Sequence, residues 1–194
     1  MGDNTYTTDN VGISKACDIL KNGGVIVYPT DTIYGLGCDA TIDEAIKKIN
    51  LIKGRSSPLS VLAPDKQTVL DWVTIPKIYY NRISKILGGD STIIVPVKNG
   101  IVSRLIMGKQ NSLGIRIPDN DFCHRLSNSY ENPIITTSVN RTGQHPMTNP
   151  NKIQNEFGHQ IDLIIHAGNI VGKSSKIYLF EKNKLKKIRW GDCY

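Results

Sequence analysis

Residues 23–37 read Gly-Gly-Val-Ile-Val-Tyr-Pro-Thr-Asp-Thr-Ile-Tyr-Gly-Leu-Gly. Val25-Ile-Val-Tyr28 is a short apolar run of the kind that forms a buried strand. From Pro29 onward, hydroxyls and glycines break regularity, which marks a loop at a strand end. Upstream, Ile13, Ala16, Cys17 and Leu20 share one face of a helix over 11–22. Gly23-Gly24 stop that helix. Downstream, Thr41 or Asp43 caps a second helix lined by Ala45, Ile46, Ile49 and Ile52, ending near Lys53-Gly54-Arg55. Further strands are predicted at 59–63, 92–97, 113–117, 133–138 and 161–166. Helices are predicted at 66–73, 77–87 and 121–129. Residues 176–181 and 185–189 read as a hairpin around Lys182-Asn183-Lys184. Strands and helices mix without strict alternation. That pattern predicts an α/β fold, a mixed sheet with flanking helices, and not a clean doubly wound one.

The chain has 194 residues, enough for one domain with a real core. No repeat or Gly/Pro/Ser linker divides it, so residues 1–194 are expected to form a single domain. Residues 143–151 read as a mobile loop. Twenty-four basic against 17 acidic residues leave a net charge of +7. Such a surplus draws anions to the surface: nucleotides, phosphates or RNA. Cys17, Cys38, Cys123 and Cys193 form no CxxC pair, and His124, His145, His159 and His166 are scattered, which argues against a zinc site. With a polar N-terminus and no long apolar run, the sequence predicts a cytoplasmic protein with reduced thiols and no membrane partner.

Four segments place polar residues where a strand or helix ends. In 29–37, Thr30 and Thr32 bring hydroxyls beside Gly35 and Gly37; the simpler reading is a turn held by its own hydroxyls. Lys53-Gly54-Arg55 either caps a helix or grips a phosphate or carboxylate with two cations. In 112–118, Arg116 sits mid-strand between Ile115 and Ile117, facing either solvent or a rigid site. In 134–143, an apolar strand opens into Thr136, Thr137, Ser138, Asn140 and Thr142, either a polar turn or a recognition surface. No Ser-His-Asp signature, GxSxG, HExxH, Walker loop or paired carboxylate accompanies them. Cations, hydroxyls and backbone suit nucleotidyl transfer, where catalysis is mostly positioning and charge stabilisation.

In this order, the segments resemble the YrdC/TsaC family of L-threonylcarbamoyladenylate synthases over about 23–189. Pro29 to Gly37 matches PTxTxYGLG, Lys53-Gly54-Arg55 matches KxR, and Gly114-Ile-Arg116-Ile-Pro118 matches GxRxP. Thr137-Ser138-Val-Asn140-Arg-Thr142-Gly143 is similar to TSxNxSG. Ser174-Ser175 and Arg189-Trp-Gly191 resemble the closing elements. The resemblance implies a YrdC-like twisted mixed sheet with a concave, positively charged cavity, in the short single-domain form. It implies that Lys53, Arg55, Ser138 and Asn140 line the cavity, with Lys53 and Arg55 catalytic. Arg55, Ser112, Ser138 and Arg189, with Lys53 and Asn140, fall where the family holds ATP. Thr32, Arg116, Thr136 and Ser175 fall where it holds L-threonine. Mg²⁺ would arrive with ATP and take no protein side chain as ligand. The implied reaction joins L-threonine, bicarbonate or CO2, and ATP into threonylcarbamoyl-AMP and pyrophosphate, for threonylcarbamoyladenosine modification of tRNA. The implied partner is a separate tRNA threonylcarbamoyl-transferase complex.

Three departures stand out. Arg55-Ser56-Ser57-Pro58-Leu59 is shorter than the family's spacing. Leu62 occupies a position where many bacterial members place a His. Thr142 replaces a Ser. Two other readings compete. One is a relative that forms carbamoyl-adenylate, usually found in a much longer chain. The other is a non-catalytic tRNA or double-stranded RNA-binding module using Lys182, Lys184, Lys186, Lys187 and Arg189. As a binding module, that cluster would give salt-sensitive affinity; the simpler reading is a solvated hairpin face.

Overall fold

A computed structural model describes residues 4–56 and 58–191. Ser57 and Cys193, both used in reading the sequence, lie outside the described residues. The chain runs β1 (Thr5–Tyr6), α1 (Asn10–Lys21), β2 (Ile26–Tyr28), β3 (Gly35–Gly37), α2 (Asp43–Lys53) and β4 (Ser60–Leu62). It continues through α3 (Lys66–Trp72), α4 (Tyr80–Ile86), β5 (Ser91–Pro96), β6 (Ser112–Arg116) and α5 (Asp121–Ser129). It closes with β7 (Ile134–Ser138), α6 (Pro150–Phe157), β8 (Leu163–Ile165), β9 (Lys176–Glu181) and β10 (Lys184–Arg189).

The ten strands form one sheet in the order β1-β8-β2-β3-β7-β4-β6-β5-β9-β10. It is mixed: β4 lies parallel to β6 and antiparallel to β7, while β5 lies antiparallel to β6 and parallel to β9. Side chains alternate across it, as the pleat requires. Ile26, Tyr28, Leu163 and Ile165 pack under Ile13, Leu20, Phe122 and Leu126 of α1 and α5. Val27, Val61, Ile115, Ile135 and Ile164 face the opposite way, against Ala45, Ile46, Ile49 and Ile52 of α2.

The α1–α5 layer reaches only part of its face. Leu62 and Ile134, paired in register, lie under it. Two residues further along the same face the sheet turns polar, with Ser60 opposite Thr136 and Gly114; in the row of Leu62 itself it turns polar at the next strands, Arg116 opposite Leu62 and Thr92 opposite Arg116. That uncovered face is the floor of the cavity described below.

Some elements differ from the sequence reading. Residues 35–37 form a strand despite two glycines. A Cβ on Gly37 would come within 2.2 Å of the Ile135 carbonyl oxygen and 2.9 Å of the Tyr28 ring. The Tyr28 ring takes the space a side chain would need, and its hydroxyl donates to that same carbonyl at 3.0 Å. Neither Thr41 nor Asp43 caps α2, whose N-cap is Ile42 with no side-chain bond. Thr41 is drawn away: its N–H and hydroxyl both donate to Asp39 Oδ1, at 2.7 and 2.6 Å. Residues 77–87 split into a 3₁₀ turn and α4. The stretch 143–151 runs into α6, whose N-cap Asn149 accepts from the Lys152 N–H at 3.0 Å and whose first residue is Pro150. β1 adds a short edge strand.

Asp39 ties the turn before α2 to the segment between α5 and β7. Besides Thr41, its Oδ2 accepts from the Tyr130 hydroxyl at 2.6 Å and from Asn132 Nδ2 at 2.8 Å. Burial pushes this carboxyl up, but the bonds from Thr41, Tyr130 and Asn132 outweigh it and hold it below its ordinary 3.8. A carboxyl depressed in the folded state contributes stability above its unfolded value and loses it as pH falls through the folded one. Asp39→Asn, which turns a donor toward donors, should cost roughly 1–3 kcal/mol at neutral pH. Urea midpoints should show that deficit shrinking as pH drops below about 3.8. An equal deficit at both ends of the range would contradict the assignment.

Candidate active site

The open face of the sheet bounds a cavity of about 270 Å³. Ser60, Thr92, Arg116 and Thr136 rise from β4, β5, β6 and β7 as its floor. The 30–35 segment forms one wall, Ser174 and Ser175 another, and Arg55, Ser138, Pro146 and Arg189 the remainder. Three arginines line it, and no Asp or Glu is among the lining residues described.

The 29–33 loop is built by Thr30. Its hydroxyl donates to the Ile33 carbonyl at 2.7 Å and accepts the N–H groups of Thr32 and Ile33 at 3.1 and 3.3 Å. With its proton spent on Ile33, Thr30 accepts in its 2.9 Å contact with the Thr32 hydroxyl. Thr32 in turn accepts from Arg116 Nη2 at 2.8 Å. The same Nη2 pairs with Asp31, whose other oxygen takes the Asp119 N–H at 2.9 Å. Arg116 is only 6% exposed, and its Nε has no hydrogen-bond partner among the described residues. On the far wall, Gly172 lets the loop cross directly against the 29–33 segment; a Cβ there would sit 1.8 Å from the Thr32 carbonyl oxygen. Tyr34 holds the start of that loop, donating to Gly168 O at 2.8 Å and accepting from the Ala167 N–H at 2.9 Å.

Arg189 reaches the cavity through a β-bulge. Lys187 lies opposite Tyr178, but Arg189 lies opposite Ile177, so Ile188 is an extra residue that reverses the facing. In a regular strand Arg189 would follow Lys187 onto the other face, where the Lys187 ammonium stacks over Tyr178 and Trp190 at 5.4 and 4.0 Å. Arg189 Nε donates to Ser175 O, and Nη2 to Ser175 Oγ, both at 2.9 Å.

Of the residues singled out from the sequence, Thr32, Arg55, Arg116, Thr136, Ser138, Ser175 and Arg189 line the cavity. Lys53 and Asn140 do not; they form a layer behind Ser138. Lys53 Nζ donates to Ser138 O and Asn140 Oδ1, each at 2.7 Å. Asn140 donates onward to Arg141 O and Gln144 O, which closes the turn after β7. Lys53 follows Ile49 by one turn on the buried face of α2, and Ser138 O and Asn140 Oδ1 meet the ammonium that burial would otherwise penalise. Ser112 begins β6 outside the lining, its carbonyl accepting from the Gly108 N–H at 2.8 Å. Arg55 is exposed; its backbone N–H donates to the Asn50 carbonyl at 3.1 Å, and its guanidinium has no hydrogen bond or ion pair to a described residue. Leu62 turns toward α1 and α5 and offers nothing to the cavity. Sequence reading did not single out Ser60 or Thr92, since each hydroxyl lies in an apolar strand where only register reveals its facing. Among the described residues, no three His, Cys, Asp or Glu side chains group as metal ligands, and no helix is long and apolar enough to cross a membrane.

A twisted mixed sheet with helices on both faces, and arginines and hydroxyls on its open part, defines a distinct class of α/β protein. The Sua5/YciO/YrdC family model, described as telomere recombination, matches residues 18–191, and the chain belongs to this family. An uncharacterized protein of Haemophilus influenzae is 31% identical over 160 residues, covering 80% of this chain and 77% of that protein. A protein of Serratia proteamaculans named threonylcarbamoyl-AMP synthase is 29% identical over 161 residues, covering 80% and 84%. The crystal structure of Escherichia coli YciO superposes with a TM-score of 0.87 at 25% identity, covering 98% of this chain and 96% of that one. Pyrococcus abyssi Sua5, solved with L-threonine, shares the fold at a TM-score of 0.85 and 24% identity, with 97% of this chain covering 56% of that one.

Burial, and then the like charge of Arg55, push the Lys53 ammonium down to about 8. The unfolded chain holds that proton to about 10.5, so the Lys53 contribution to stability rises with pH between those values. Side-chain NMR titration should find one lysine with a midpoint near 8, absent in Lys53→Met and shifted upward in Arg55→Gln. A full set of lysines titrating near 10.5 would contradict the burial argument.

Proposed function

We propose that this protein is a nucleotidyltransferase that makes threonylcarbamoyl-AMP and pyrophosphate from L-threonine, bicarbonate or CO2, and ATP, toward threonylcarbamoyladenosine in tRNA. The observation that carries the reading is the three-arginine cavity whose remaining polar lining is hydroxyl. Such a surface gathers anions and offers no carboxylate for acid–base hydrolysis. The name of the Serratia relative supports the same reaction.

In this reading Arg116 holds the threonine carboxylate, with Ser175 and Thr136 beside it, and Thr32 receives the side-chain hydroxyl. The neutral threonine amine adds to CO2, forming the C–N bond of a carbamate and releasing its proton to solvent. A carbamate oxygen attacks the α-phosphorus, and the bond to pyrophosphate breaks. Arg55, Arg189 and Ser138 meet the charge that develops on the phosphates; Ser112 lies toward the nucleotide end. Lys53 acts from behind the wall, fixing Ser138 and Asn140 and adding positive potential. Mg²⁺ enters on the triphosphate as part of the substrate and keeps most of its waters. Holding the reactants together removes an entropic barrier worth up to ~7–11 kcal/mol. Residues 1–194 would act as one YrdC-like domain in the cytoplasm, passing the product to a tRNA threonylcarbamoyl-transferase complex.

A second reading, direct binding of tRNA or double-stranded RNA, is favoured by one feature: Lys184 and Lys186 are exposed together on the edge strand β10. Its mark would be affinity falling steeply with salt.

Pyrophosphate release from ATP, Mg²⁺ and bicarbonate should require L-threonine. Arg55→Ala should lower the rate by about 100-fold or more, as loss of a charge-stabilising group does. Lys53→Ala should be similarly impaired through the collapse of the Ser138–Asn140 turn. Threonine-independent release, or both variants within tenfold of wild type, would sink the reading.

A further inference from the structure

Two hydroxyls in the cavity have their polarity fixed by neighbours, in opposite senses. Thr32 gives its proton to Thr30 and accepts from Arg116, so the capacity left to it is a lone pair. Ser175 is the reverse. Its Oγ accepts from the Thr92 hydroxyl at 2.9 Å and from Arg189 Nη2 at 2.9 Å. Arginine can only donate, so with two donors in place the Ser175 oxygen has no acceptor capacity left. Its own proton has no acceptor among the described residues, and Ser175 lines the cavity while 9% exposed.

Thr92 stands directly opposite Arg116 in the β5–β6 ladder and is 3% exposed. The donor it creates on Ser175 therefore belongs to the same end of the cavity as the buried guanidinium. We infer that Thr92 is a positioning residue for specificity: by fixing Ser175 as an obligatory donor, it makes this end of the cavity select a carboxylate over a carboxamide. A carboxylate accepts from both Ser175 and Arg116. A carboxamide must turn its NH2 toward one of two donors, which leaves buried groups unpaired. The inference rests on the amino-acid site of the proposed function and adds to it a residue and a selection rule.

The test is calorimetric titration of L-threonine and L-threoninamide into wild type, Thr92→Val and Thr92→Ser, with a non-hydrolysable ATP analogue present. Valine keeps the branched shape a strand accepts and removes the hydroxyl. Wild type should prefer threonine. Thr92→Val should weaken threonine by about 10-fold, the scale of a lost hydrogen bond to a charged group, and narrow its preference over threoninamide by a similar factor. Affinity for the ATP analogue should stay within about twofold of wild type, and Thr92→Ser should restore the preference. A merely structural role would lower the melting temperature and weaken both amino-acid ligands alike. Thr92→Cys, a weak donor of similar size, serves if the valine variant fails to fold. A folded valine or cysteine variant whose threonine-to-threoninamide ratio matches wild type overturns the inference while leaving the proposed function standing. A wild type that binds neither ligand overturns both.

Discussion

A guanidinium buried at the end of a central strand must have its charge met, and that requirement on Arg116, the last residue of β6, organises the open half of this sheet. Leaving a buried charge without its partner costs about 3–5 kcal/mol. Asp31 and Thr32 meet it, and they come from the loop after β2, four strands away across β3, β7 and β4. The loop must therefore lie over the polar face, and Thr30 keeps it in shape from within. Glycine at 172 lets the opposite wall close against it. The cavity is the space left between a strand that needs a partner and a loop that supplies one.

The cations differ in how firmly they are held. Arg116 is buried and paired, Arg189 is aimed by a bulge and tied to Ser175, and Arg55 is exposed at the rim. Lys53 lies behind the wall with its charge spent on Ser138 and Asn140. In the proposed reaction, preorganised charge around Arg116 and a freer Arg55 would suit a site that fixes a small zwitterion and receives a larger polyanion. Positioning would then carry most of the proposed catalysis, with no general base required of the protein.

Much of this was legible in the sequence. The apolar run 25–28, the helical face of Ile13, Ala16, Cys17 and Leu20, and the strands around Arg116 and Thr136 follow from periodicity, and the structure has them there. Strand β3 was hidden because glycine disfavours strands; the Ile135 carbonyl and the Tyr28 ring, both on neighbouring strands, explain Gly37. The start of α6 had a readable signal in Asn149-Pro150, a cap followed by a first-turn proline, overshadowed by the polar residues before it. Lys53 is a residue whose ordinary place at a helix end gave no hint of burial. Thr92 and Ser60 needed the pairing register, which links residues 24 and 54 positions apart from Arg116 and Gly114 in the chain. The opposite facing of Arg189 and Lys187 required a bulge that no pattern in 184–189 announces.

The account stands on one cavity bringing three reactants together, so the decisive observation is the fate of the carbonate carbon. The protein is incubated with ATP, Mg²⁺, L-threonine and carbon-13 bicarbonate, and the nucleotides are read by mass spectrometry. The account predicts a threonylcarbamoyl-AMP carrying a single label, which disappears when threonine is omitted. Unlabelled AMP or ADP alone, with threonine present, would contradict it.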